Sequence, residues 1–78
     1  MDFYTRLKKI ERIDRLIRLE ATGRPHSFAV KMDVSESTLY ELLKIMKNMG
    51  ACIHYDKLKE TYYYTQPVKF EYGFQPLE

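Results

Sequence analysis

Between Ser35 and Lys44 the chain reads Ser-Glu-Ser-Thr-Leu-Tyr-Glu-Leu-Leu-Lys, and its polar members recur at a helical spacing. At 3.6 residues per turn, Leu39, Leu42, Leu43, Met46 and Met49 form one stripe, while Ser37, Tyr40, Glu41, Lys44 and Asn48 point the other way, with Lys47 at the margin. A hydroxyl, a phenol, a carboxylate and an ammonium on one surface are groups that meet phosphate oxygens and base edges. Ser35 stands where an N-cap hydroxyl accepts from an early backbone N–H, and Thr38 lies one turn in, near the helix start. This is binding chemistry. No Ser/His/Asp arrangement, Gly-rich phosphate loop or close carboxylate pair stands at a plausible site, so catalysis is not expected. His26, Cys52 and His54 are the conventional soft-metal candidates, but four ligands at short paired spacings are absent. Neither a metal nor a cofactor is expected, and Cys52 reads as a small buried strand residue.

The elements that must hold this surface follow from periodicity and punctuation. Residues 2 to about 22 form a first helix with Phe3, Leu7, Ile10, Ile13, Ile17 and Ala21 on its buried stripe, and Gly23 ends it. Lys8, Arg12 and Arg15 fall on the opposite side. They form either a phosphate-contacting strip or a solvated face laced by Glu11–Arg15 and Asp14–Arg18 pairs. Pro25 opens a short second helix to about Met32, carrying Phe28, Ala29 and Met32. Asp33-Val34-Ser35 makes the turn, with Asp33 tolerating a left-handed backbone, and Ala29 lets the two helices approach. The third helix runs to Met49 and stops at Gly50. Two helices so joined are a helix-turn-helix.

After Gly50 the period falls to two. Residues 52–56 alternate, with Ile53 and Tyr55 on one face, and residues 61–65, Thr-Tyr-Tyr-Tyr-Thr, are β-branched and aromatic. Lys57-Leu58-Lys59-Glu60 connects them as a hairpin, the wing of a winged helix. Gln66-Pro67 breaks the strand; Val68, Phe70, Tyr72 and Phe74 then alternate with polar or small residues as an extra strand or an extended arm. The expected architecture is α+β: three helices, a β-hairpin wing and a C-terminal strand or arm. Residues 1–66 form the winged helix-turn-helix domain, and 67–78 the aromatic arm.

Bulk composition leaves function open. Seventy-eight residues suit one small domain with one modest core. Thirteen basic against 11 acidic residues give a net charge of +2, so any basic surface must come from arrangement, not excess. A lone cysteine fits a reducing cytoplasm, no signal peptide is expected, and no apolar run approaches the roughly 20 residues a membrane span needs.

Val34-Ser35-Glu36-Ser37-Thr38-Leu39-Tyr40, followed by Met49-Gly50-Ala51-Cys52-Ile53-His54-Tyr55-Asp56, resembles the N-terminal winged-helix domain of WYL-type and biotin-repressor-type bacterial transcription regulators. Their segment runs approximately V-S-x-R-T-[IL]-Y-R-D-I, then G-[AV]-x-I-x-Y; the similarity covers about Ile10 to Thr65. The chain is also similar to small stand-alone helix-turn-helix proteins with a Tyr-rich wing and no effector domain. The resemblance implies that Thr38 and Tyr40 face a DNA groove. Where the family usually has Arg before Thr and Arg after Tyr, this chain has Ser37 and Glu41.

Glu41 therefore has three readings: it accepts from a C·G pair, pairs with a partner's lysine, or is solvated. Lys44 is the central cation of the face. Lys57 and Lys59 either touch DNA backbone or are the charges any exposed hairpin carries. Phe70, Tyr72 and Phe74 are read as a dimerisation surface, against the alternative that the tail folds back on its own helices. The first functional reading is a homodimeric DNA-binding transcription regulator that inserts helix 35–49 in the major groove of double-stranded DNA. The second is a protein–protein interaction module on the same scaffold without DNA.

Overall fold

The computed structural model describes residues 1–71. Three helices, α1 (Phe3–Arg18), α2 (Pro25–Met32) and α3 (Glu36–Asn48), precede two strands, β1 (Ile53–Asp56) and β2 (Thr61–Tyr64). The strands pair antiparallel with Ile53 opposite Tyr64 and Tyr55 opposite Tyr62. This is an α+β arrangement consistent with a winged-helix layout.

Local chemistry sets the element ends. Asp2 caps α1 by accepting from the Thr5 N–H at 2.7 Å. Pro25 occupies the first turn of α2, where its missing N–H leaves nothing unsatisfied. Asp33 ends that helix in the left-handed region (φ 57°), a conformation short polar side chains tolerate. Ser35 Oγ then caps α3 by accepting from the Thr38 N–H at 3.1 Å. Gly50, at φ 106°, closes α3: its N–H donates to Lys47 O and that of Ala51 to Met46 O, the paired bonds of a Schellman motif.

The first helix is shorter than its periodicity predicts. It ends at Arg18, because Glu20 turns left-handed (φ 50°) and the N–H groups of Glu20 and Ala21 donate back to Ile17 O and Leu16 O. Gly23 is not the stop; it lies in the following connection at φ 72°. The buried stripe is correspondingly Ile10, Ile13 and Ile17, while Phe3 (74% exposed) and Ala21 lie outside the core. Met49 also leaves its stripe, since it occupies the C-cap of α3 and is exposed. Of the two expected i,i+4 pairs on α1, Asp14–Arg18 forms at 3.0 Å and Glu11–Arg15 does not.

The core joins Ile10, Ile13 and Ile17 to Phe28, Met32, Leu39, Leu42, Leu43, Met46, Ile53 and Tyr62. Ala29 is buried where α2 meets the next helix. Tyr62 anchors the hairpin, its ring 5.5 Å from Phe28 and 4.9 Å from Tyr55 between centroids. Two buried threonines stitch the outer edge of β2 to the α1–α2 connection. Thr22 Oγ1 accepts from the Tyr62 N–H at 2.9 Å and lies 3.1 Å from Thr61 Oγ1. One side chain thus supplies an acceptor that a third strand would supply by its backbone.

No further strand forms between Thr65 and Glu71. Pro67 lacks a donor, and the edge of β2 is already met by Thr22. The segment is an arm laid back on the helices: Arg18 Nη2 donates to Val68 O at 2.6 Å, and Phe70 is half-buried against the core.

Candidate nucleic-acid interface

The cap of α3 orients the residues that follow it. Ser35 and Thr38 are bound to one another, Ser35 Oγ donating to Thr38 Oγ1 at 3.0 Å while it accepts the Thr38 N–H. Their hydroxyls are therefore partly spent on the helix start, and Thr38 is only half exposed. Ser37, Tyr40, Glu41 and Lys44 are exposed on the side away from the buried leucines. Among the described residues none of these four makes a hydrogen bond or ion pair, so the surface is open to an external partner.

Two other elements flank it. On one side Met1, Arg6, Thr38, Glu41, Lys44 and Ile45 line a shallow open depression, bringing the start of α1 beside the middle of α3. On the other side Tyr40 lies towards the hairpin. Burial, then the neighbouring Tyr40, Tyr55 and Glu36, raise the Tyr62 phenol above the ordinary tyrosine range.

Arg6 was not among the residues singled out in the sequence, although a signal exists. It stands four, seven and eleven residues before Ile10, Ile13 and Ile17, in phase with the buried stripe, yet it is charged. A cation in an apolar phase marks the point where the helix outruns the core and reaches a neighbour's outer edge. Lys8, Arg12 and Arg15 are exposed on the opposite side of α1, away from its buried isoleucines. Lys8 Nζ sits 5.6 Å from the Tyr4 ring centroid.

The wing is held close to the body. Asp56 Oδ1 accepts from the Leu58 and Lys59 N–H groups at 2.9 and 3.1 Å, closing the turn, and Glu60 completes it at φ 53°. Arg24 grips Glu60 with two bonds of 3.1 Å, which raises the Arg24 pKa. Lys59 approaches Glu20 at 3.9 Å, so Lys57 is the wing lysine left without a partner among the described residues. Leu58 at the tip is 97% exposed.

The charged side chains left without a partner on the described surface are mostly basic. Most acids are occupied: Asp2 and Asp56 cap turns, Asp14 holds Arg18 and Tyr64, and Glu20, Glu36, Glu60 and Glu71 each face a cation or histidine. Arg6, Arg12, Arg15, Lys44, Lys47 and Lys57 have no hydrogen bond or ion pair there; the acids in that condition are Glu11, Asp33 and Glu41.

Of the residues expected to dimerise, Phe70 packs on its own core beside Tyr64 and Val68. Tyr72 and Phe74 lie outside the described residues. Cys52 is half-buried, its Sγ 3.9 Å from Gln66 Oε1, and no group of three metal-binding side chains occurs among the described residues. No described helix is long and apolar enough to cross a membrane.

No family model matches the chain, and neither the curated proteins nor the solved structures contain a match to it.

Proposed function

We propose that this chain is a non-enzymatic winged-helix regulator of transcription that lays α3 in the major groove of duplex DNA. The supporting observation is the exposed, unpartnered face of Ser37, Tyr40, Glu41 and Lys44 on a helix whose start is fixed by the Ser35–Thr38 cap. The similarity of Val34–Tyr40 and Met49–Asp56 to bacterial regulators points the same way. Tyr40 and Lys44 contact the groove and its phosphates, Ser35 and Thr38 sit at the backbone end of the helix, and Lys57 with Lys59 reaches the flanking backbone from the wing. Two copies act together on paired half-sites, joined through Tyr72 and Phe74 beyond the Phe70 that packs on its own core, in the reducing cytoplasm that a lone cysteine suits.

Titrating a mixed-sequence duplex into the isotopically labelled protein tests this. Amide shifts are expected at Ser37–Lys44, Arg6 and Lys57, with little change at Phe28 or Ile13. Shifts absent from α3 at low salt refute the assignment.

A second reading has its own support. Phe3, Tyr4 and Leu58 are exposed at 74, 63 and 97%, and a duplex has little use for apolar side chains. A protein-interaction module would use them. In that case the duplex causes no shifts, and Leu58→Ser disrupts the complex that the protein forms.

A further inference from the structure

We infer that Glu41 is a specificity residue that selects a C·G pair, and that Arg6 is the positioning cation that lets a carboxylate enter the groove. This rests on the DNA-binding reading above and names what the α3 surface would read.

A carboxylate in the centre of a phosphate-facing surface weakens binding unless it finds a donor. Among the described residues Glu41 finds none. Lys44 is three residues further along the same helix and Arg6 lines the same depression, yet neither comes within ion-pair distance of it. Almost every other described acid is engaged in a cap, a turn or a pair, so Glu41 is the one unsatisfied acceptor at the middle of the face.

Major-groove chemistry narrows the donors. Guanine presents N7 and O6 acceptors, and thymine presents O4 and a methyl group, all poor company for a carboxylate. Adenine has an N6 amino group but carries the N7 acceptor beside it. Cytosine presents the N4 amino group without an acceptor of its own in that groove, so a Glu there is best satisfied by cytosine.

Arg6 and Lys44 answer the remaining objection. Both flank Glu41, both are exposed, and neither has a partner among the described residues, so each is available to a phosphate. They offset the repulsion between Glu41 and the DNA backbone without quenching the carboxylate. Arg6 acts through charge on the backbone and carries no sequence information; Glu41 carries the information and lowers general affinity.

The test is selection of bound sites from a randomised duplex pool by the full chain. Affinities of the wild type, Glu41→Ala and Arg6→Gln for the recovered site then follow, beside the same site with one cytosine replaced by a pyrimidinone that lacks the 4-amino group. Both substituted side chains are exposed, so circular dichroism should show unchanged folds. The expected result is one position held as C·G, with roughly tenfold or greater loss on replacing the cytosine. Glu41→Ala should remove that discrimination while binding unselected duplex at least as tightly as wild type. Arg6→Gln should weaken all duplexes by a similar factor, retain the cytosine preference and reduce the salt slope by about 1. If the wild type holds duplex but discriminates less than about twofold at every C·G position, or if Glu41→Ala keeps the preference, the inference is overturned while DNA binding stands. If no variant retains any duplex, the DNA-binding reading itself fails and takes the inference with it.

Discussion

The hydroxyl of Tyr64 donates to Asp14 Oδ1 at 2.5 Å, fastening the last residue of β2 to the middle of α1. The same carboxylate takes Arg18 Nε at 3.0 Å, and the Arg18 guanidinium lies 5.2 Å from the Tyr64 ring centroid while reaching on to Val68 O. Three side chains thus fix the hairpin, the first helix and the start of the arm relative to one another, and the hairpin in turn flanks α3.

Alkaline stability should report this fastening. Burial first, and then the hydrogen bond to Asp14, push the Tyr64 phenol well above its ordinary value of 10.0, and burial also raises Tyr62. A group with a raised folded pKa binds its proton more tightly in the native state, so its contribution is complete below pH 10 and is lost as pH rises above that. Thermal melts should therefore fall steeply above about pH 10. Tyr64→Phe should be less stable at neutral pH by about 1 kcal/mol, for the lost hydrogen bond, and show a shallower alkaline decline. An unaltered alkaline profile contradicts the assignment.

Thr22→Val should destabilise the fold by about 1–3 kcal/mol in urea denaturation, because it leaves the Tyr62 N–H facing a methyl group inside the protein. Thr22→Ser keeps the acceptor and should recover most of the loss. A Thr22→Val variant as stable as wild type, with Thr22→Ser the more damaged, would mean that packing, not hydrogen bonding, governs this site.

Ser35→Ala removes the acceptor for the Thr38 N–H and should cost about 1 kcal/mol by the same measurement. Its larger expected effect is on the start of α3: amide exchange at Ser37 and Thr38 should quicken while that of Met46 follows global stability.

Lys44→Ala should weaken binding to all duplexes alike and flatten the salt dependence by about one unit of log–log slope. A loss confined to particular base sequences would reassign Lys44 from phosphate contact to base reading.

Much of this fold was legible because its turns use residues with few alternatives. Pro25 at the start of α2, Asp33 in the left-handed turn, Ser35 at the cap and Gly50 at φ 106° each have a backbone reason to stand where they do. The end of α1 was not legible: Glu20 adopts the left-handed conformation usually left to glycine, and Gly23 nearby offered a more ordinary stop. Thr61 could be read as a β-branched strand residue but not as half of a buried pair with Thr22, a contact made across 39 positions of sequence. The α3 face followed from periodicity, whereas Arg6 beside it did not, because a helical phase fixes direction and not which neighbour lies there.

Fluorescence anisotropy of a labelled mixed-sequence duplex, measured with the full chain at low and moderate salt, tests the central claim most directly. Even four phosphate contacts give a log–log slope of roughly −3.6, so binding should be evident at low salt and fall steeply as salt rises. Glu41→Arg should bind more tightly than wild type, and the combined Tyr40→Ala and Lys44→Ala variant more weakly. No binding by wild type or Glu41→Arg at low salt, or an affinity indifferent to loss of Tyr40 and Lys44, would contradict the account.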